Sequence, residues 1–375
     1  MSAVRAVITG SAHANPPART QRELWDGFFA EHFSDRRAAR LAFDSSGVVT
    51  RHAAVDPLVE DISSWSTGAR MDRYLLEAMP LGKEAVLAAL GEAGISAADL
   101  GFFAVVSCTG YTTPGLDVRL ARDLGMSRSL RRINIGHMGC HAALPALAVT
   151  RDFVVARGEP ALLLCLELSS LHIQPPTTDL SQAIIHALFS DAAAAIVVEP
   201  TDDHVPTGLE VVDFLERSDL ASAEHMAWEI TDHGFRMTLS RKVNDVIERQ
   251  VEPLIDELLG RNSLSRESVA GWAVHPGGPR ILDTLVTRLG LREADLAASK
   301  RTLEIHGNCS SATVLLALDD VWRGLGDLAG AAVVMLAFGP GLTLSAALLR
   351  TSGTSPLRTS GTSPLRRVAT PTCHA

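Results

Sequence analysis

The sequence predicts an α/β protein made of two related halves around a buried sheet. Three observations carry that expectation. Short apolar runs alternate with helical periodicity along most of the chain, the pattern of strands covered on both faces by helices. The chain has 375 residues, 46% of them hydrophobic and 21% charged, enough for a large duplicated core. A faint internal repeat runs through it.

The apolar runs at 102–106, 161–166, 194–198, 271–274 and 331–336 are expected as central strands. Residues 70–93, 116–124, 142–157, 243–259, 280–289 and 312–323 have the periodicity of helices, several ending at glycine. The repeat pairs the path from Ser96 to Cys108-Thr109-Gly110 with the path from Ser265 to His275-Pro276-Gly277-Gly278. It also pairs Gly139-Cys140-His141-Ala142-Ala143 loosely with Gly307-Asn308-Cys309-Ser310-Ser311-Ala312, each a turn opening a helix of small residues. Pro200, Asp202, Asp203 and Pro206 cluster where such halves would join. Residues 1–205 and 206–348 are therefore expected as the two halves. Beyond them, Arg350 to Leu357 repeats unchanged as Arg358 to Leu365. A Thr/Ser/Gly/Pro repeat cannot bury a core, so 349–375 is expected to be a disordered tail.

Composition excludes several classes. With 34 basic against 43 acidic residues the net charge is −9, and no basic surplus is present to neutralise nucleic-acid phosphates. Five cysteines form neither a paired framework nor a Cys-x-x-Cys metal motif. No apolar stretch is long enough for a membrane span or shaped like a signal peptide. A cytoplasmic protein is expected, in which a thiol stays reduced.

Three positions carry the chemistry. Cys140 follows an apolar run and a glycine turn and opens a helix, where free N–H groups and the dipole favour a thiolate. His275 ends a buried strand at the rigid turn Pro276-Gly277-Gly278-Pro279. Asn308, in His306-Gly307-Asn308-Cys309-Ser310-Ser311, can donate a hydrogen bond without titrating. Together they suit carbon–carbon bond formation from thioesters. An acylated thiol awaits attack, and two donors stabilise an enolate and then an oxyanion. No metal or cofactor is expected beyond the CoA thioesters themselves.

At these residues the chain resembles the chalcone synthase family, the type III polyketide synthases, over nearly its whole length to about residue 348. The ordered motifs are Ser107-Cys108-Thr109-Gly110-Tyr111-Thr112-Thr113-Pro114-Gly115, Met138-Gly139-Cys140, and Leu188-Phe189-Ser190-Asp191-Ala192. His275-Pro276-Gly277-Gly278-Pro279, Gly307-Asn308-Cys309-Ser310-Ser311 and Ala337-Phe338-Gly339-Pro340-Gly341-Leu342-Thr343 follow. The resemblance implies a thiolase-like fold, duplicated halves forming a five-layered αβαβα sandwich. It implies Cys140 as nucleophile, with His275 and Asn308 in decarboxylation and oxyanion binding. Phe189 falls at the gatekeeper between the CoA tunnel and the cavity. Cys108, Ser169, His172, Trp228, Met237 and Ser310 fall at cavity-lining positions. Thr113-Pro114 matches a loop that reaches across a dimer interface, so a homodimer is implied.

Departures bear on the substrate. Pro145 would bend the helix after Cys140 unless it lies in the first turn. The basic CoA-binding cluster is reduced to Arg51. Trp228 should narrow the starter pocket, His172 could hydrogen-bond a poly-β-keto intermediate, and Cys108 resembles bacterial enzymes that make naphthalenes or phloroglucinols. The expected activity is iterative condensation of malonyl-CoA onto a CoA-linked starter held on Cys140, releasing a pyrone, resorcinol or related aromatic. A fatty-acyl starter is slightly favoured over a malonyl one. A ketoacyl-ACP synthase III-like enzyme and a silent acyl-CoA-binding protein remain alternatives.

Overall fold

The computed structural model describes residues 4–34, 36–201, 208–240, 242–326 and 328–352. Among them are thirteen strands. The first half holds β1 Arg5–Ala14, β2 Ala18–Thr20, β3 Thr50–His52, β4 Phe102–Val106, β5 Arg131–Ile135, β6 Ala161–Leu168 and β7 Asp191–Thr201. The second holds β8 Gly208–Ser218, β9 Met226–Thr231, β10 Gly234–Leu239, β11 Val269–Val274, β12 Ala332–Gly339 and β13 Thr343–Ser352.

Nine strands form one sheet in the order β11-β12-β13-β8-β1-β7-β6-β4-β5. Its middle is thin. Strands β1 and β8 pair only at Val7–Glu210 and Ile8–Leu209, so two sheets meet edge to edge. In the first, β1 pairs antiparallel with β7, β7 antiparallel with β6, and β6 parallel with β4. In the second, β8, β13, β12 and β11 repeat that series of antiparallel, antiparallel and parallel pairs. Strand β5 adds a parallel edge to the first sheet. The faint sequence repeat is therefore a repeat of topology.

Alternation along the strands builds the layers, because successive side chains leave a sheet on opposite faces. Leu163 and Cys165 of β6, with Val333, Met335 and Ala337 of β12, share one core with the helices Ala143–Arg157 and Thr313–Leu325. Leu162, Leu164 and Leu166 turn the other way, onto the helices Thr67–Ala93 and Leu116–Asp123. Val334, Leu336 and Phe338 turn onto Lys242–Arg261 and Pro279–Leu289. The result is helices, sheet, helices, sheet, helices: the five-layered αβαβα sandwich. Every residue of β6 is buried, which is why its sequence is apolar at every position but Glu167.

One expectation changes. Strand β13 runs to Ser352, so residues 349–352 are core structure and not tail; the rest of the expected tail, 353–375, lies outside the described residues. The expected junction lies partly outside them as well, at 202–207.

Candidate active site

The turn that presents Cys140 follows from its neighbours. After β5, Gly139 takes φ +67°, and a Cβ there would also lie 2.5 Å from Cδ of Pro340. Only glycine meets both demands. The short turn Gly139–His141 then leads into the helix Ala143–Arg157. Pro145 is the third residue of that helix, within the first turn, where its missing N–H leaves no bond unmade.

Asn308 is held by backbone on both sides. Its N–H donates to Leu188 O at 2.8 Å and its carbonyl accepts from Ser190 N–H at 2.9 Å. The side-chain Oδ1 accepts from Ser310 N–H at 2.9 Å. With the oxygen engaged, the amide N–H groups are the ones left to act, and both Asn308 and Ser310 lie near enough to the Cys140 sulfur to favour its thiolate. Ser310 also faces Cys108, Oγ to Sγ at 3.6 Å.

His275 sits at the end of β11, its N–H donating to Leu336 O of β12 at 2.8 Å. Strand β12 runs on to Gly339, which abuts His141, and Pro340, which abuts Gly139. One strand thus carries His275 to the turn that holds Cys140. The His275 ring is 1% exposed, and its Nδ1 is buried without a protein partner.

Electrostatics departs from expectation. Burial, aided by Glu167, pushes the Cys140 thiol up to about 12 against the pull of Ser310 and Asn308. Burial, then the neighbouring His141, lowers His275 to about 3. Desolvation of a charge in this interior works against the thiolate that the helix N-terminus favours.

Matches to known proteins agree with this geometry. The family model for the N-terminal domain of chalcone and stilbene synthases matches residues 47–202, and that for the C-terminal domain matches residues 213–352. The chain belongs to the chalcone and stilbene synthase family, the type III polyketide synthases. It is 32% identical over 354 residues to 1,3,6,8-tetrahydroxynaphthalene synthase of Streptomyces peucetius subsp. caesius, covering 92% of this chain and 93% of the relative. Over 358 residues it is 30% identical to the alpha-pyrone synthesis polyketide synthase-like Pks18 of Mycobacterium tuberculosis, covering 92% and 90%. The crystal structure of PKS-I from the brown alga Ectocarpus siliculosus superposes with a TM-score of 0.87 at 30% identity, covering 94% of this chain and 99% of the other. The family match sets aside a ketoacyl-ACP synthase III-like enzyme, and it makes this synthase an acyltransferase.

Five expected pocket residues of the synthase share one cavity. Ser169, His172, Phe189, Trp228 and Met237 line it together with Phe235. Its open volume is about 20 Å³, room for about one water. The Trp228 ring lies edge-on to Phe189 at 6.2 Å and to His172 at 6.1 Å. His172 is not free to bind an intermediate. Its Nδ1 accepts from Phe235 N–H at 3.0 Å, which leaves Nε2–H to donate to Thr109 O at 2.7 Å. Its role is to brace β10 against the Cys108-Thr109 turn. Cys108 and Ser310 lie apart from this cavity, beside Cys140, and Cys108 also borders an open pocket of about 360 Å³ with Tyr111, Thr113 and Asn134.

Arg51 corrects a further expectation. It is buried, its guanidinium donating to the carbonyls of His186 and Phe189, and so is closed to a CoA phosphate. Glu167 was not anticipated. Its carboxylate accepts from Cys108 N–H at 3.0 Å, Thr109 Oγ1 at 2.8 Å and Ser311 Oγ at 2.6 Å, tying the Cys108 turn to the Asn308 segment. Burial raises its pKa. An acid inside the run Leu162-Leu163-Leu164-Cys165-Leu166-Glu167-Leu168 was the available signal. Cys165 and Cys309 are buried filler. Among the described residues no cluster of acidic, histidine and cysteine side chains could hold a metal ion, and no helix is long and apolar enough to cross a membrane.

Proposed function

We propose that the synthase transfers an acyl group from CoA to Cys140 and extends it with malonyl-CoA in repeated decarboxylative condensations, releasing a cyclised aromatic or pyrone. The observation that supports this is the nearness of the Cys140 sulfur to the Asn308 and Ser310 side chains, with the buried His275 ring held on the strand that runs on to the Cys140 turn. His275, uncharged, accepts the thiol proton as the sulfur attacks the starter thioester, and CoA leaves as its thiol. Malonyl-CoA then loses carbon dioxide, and the electron pair of the broken bond forms an enolate whose oxygen is stabilised by His275 and Asn308 N–H groups. The enolate carbon attacks the Cys140 thioester, giving a β-ketoacyl-CoA and freeing the sulfur for the next round.

The starter is short. Trp228, Phe189 and Met237 wall the cavity that we assign to the starter, and these bulky side chains narrow it, which supports the malonyl-primed naphthalene or phloroglucinol reading over a fatty-acyl starter. The enzyme works as a homodimer. Strand β5 is a sheet edge with residues 131–134 exposed, and Tyr111 is 67% exposed above the open pocket, a surface that a second copy would cover.

The test is mass spectrometry of products from malonyl-CoA alone and with a panel of acyl-CoAs. Cys140→Ala should abolish acyl-enzyme formation and product, while Cys140→Gln should still release carbon dioxide from malonyl-CoA. Full product from Cys140→Ala would end this mechanism. A thiol inert to iodoacetamide, with no carbon dioxide released, would favour the silent acyl-CoA-binding protein.

A further inference from the structure

We infer that Arg51 is a positioning residue for Asn308, acting through the backbone of residues 186–190. The inference rests on the catalytic reading of Asn308 given above.

A cationic side chain this deeply buried needs a purpose that offsets its desolvation. Arg51 lies on β3, and its guanidinium donates to the His186 carbonyl and, at 3.0 Å, to the Phe189 carbonyl. Those two oxygens belong to the last turn of the helix Leu180–Leu188 and the residue that ends it, where carbonyls have no helical partners. The guanidinium also lies over the rings of Phe29 and Phe43, at 5.4 and 5.8 Å. Burial draws its pKa to about 10, so it remains charged at neutral pH.

What it holds is the strip against which Asn308 is set. Asn308 N–H bonds Leu188 O, and Ser190 N–H bonds Asn308 O. The next residue of β3 grips the same strip, His52 N–H donating to Ser190 Oγ at 2.8 Å. Strand β3 reaches the other side too. Thr50 Oγ1 donates to Ile305 O at 2.5 Å, and the His52 ring stacks on His306 at 5.4 Å. Between them Gly307, at φ +70°, packs so closely that a Cβ would lie 2.9 Å from Ser190 Cβ and 3.6 Å from Arg51 Cγ. The three-residue strand is a clamp across both segments that fix the amide, and Arg51 is its central contact. A shift of the 186–190 strip would move the amide away from the enolate oxygen while leaving the Cys140 turn in place.

The experiment is Arg51→Lys, which keeps the charge but loses the planar two-pronged reach, measured beside Ser190→Ala and Asn308→Ala. For Arg51→Lys, kcat for malonyl-CoA decarboxylation should fall about tenfold or more. The KM for malonyl-CoA should stay within about twofold, and the rate of Cys140 alkylation by iodoacetamide should remain parental. Ser190→Ala, which removes the links to His52 and Cys309 but keeps Arg51, should lower kcat in the same direction by a smaller factor. Parental decarboxylation by Arg51→Lys overturns the inference. So does a raised KM for CoA substrates at parental kcat, which would mark a phosphate contact, and so does a parallel fall in alkylation and decarboxylation, which would mark general loss of structure. Should Arg51→Lys not yield folded protein, Ser190→Ala decides, and an unchanged kcat there overturns the inference. Parental decarboxylation by Asn308→Ala would instead refute the catalytic reading itself, whatever Arg51→Lys does.

Discussion

Burial raises the pKa of the Cys140 thiol, and the same burial suits the acyl thioester proposed for it. A thioester has no charge to solvate, and a closed site protects it from water. In the proposed cycle the charged species, enolate and oxyanion, would meet N–H groups of Asn308 and His275. At the same scale Trp228 walls the cavity proposed for the starter. Trp228→Gly should open the cavity and raise kcat/KM for hexanoyl-CoA by about tenfold or more relative to malonyl-CoA, read by product mass spectrometry; an unchanged starter profile would remove Trp228 from the pocket wall. Cys140 and His275 stand out in the sequence because each lies in a glycine turn at the end of an apolar run, and Asn308 because it follows Gly307 and opens a run of small residues. His172 and Arg51 were misjudged for a common reason. Both are polar residues beside site motifs, and whether such a group faces a ligand or a carbonyl depends on segments far away in the chain: Phe235 and Thr109 for His172, residues 186–189 for Arg51.

Elements near the site are tied together by buried polar clamps more than by helix or strand propensity. Arg70, in the first turns of the helix Thr67–Ala93, donates to five carbonyls: Trp65, Leu171, Ile173, Ile62 and Ser63. It joins that helix to the loop before it and to the segment that carries Ser169 and His172. Arg70→Met fills the volume and leaves those carbonyls short of donors, so it should destabilise by about 3 kcal/mol or more, measured as a lower melting temperature. A melting temperature within about a degree of the parent would show that water replaces the guanidinium. Helices such as Leu180–Leu188 and Ala297–His306 were not anticipated. Leu180–Leu188 follows a polar stretch, and the periodicity of Ala297–His306 is weak.

The whole molecule is a duplicated sandwich whose interior holds many histidines. His32, His52, His141, His172, His186, His275 and His306 all have lowered pKa values, with burial the first cause in each. In the unfolded chain these rings titrate near 6.5, so below that pH the unfolded state binds more protons and folding weakens. Each ring contributes up to about 1.4 kcal/mol per pH unit until its folded pKa is reached. Asp191, raised by burial to about 6, and Glu167, also raised, act in the opposite sense, since the folded chain holds their protons more tightly. The histidines outnumber them, and the melting temperature should fall steadily from about pH 6.5 toward 4.5; a flat profile would mean that the rings are hydrated. What the sequence by itself determined is the order of elements, the repeat of strand and glycine turn, and the three residue types at its turns, because these follow from local periodicity and backbone sterics. Only the tertiary structure decided that Cys140 is buried, that Trp228 packs beside Phe189 and His172, that Glu167 ties two motifs together and that Arg51 faces inward. Each of these depends on burial and on partners supplied by distant segments, and neither exists until the two halves have closed on one another.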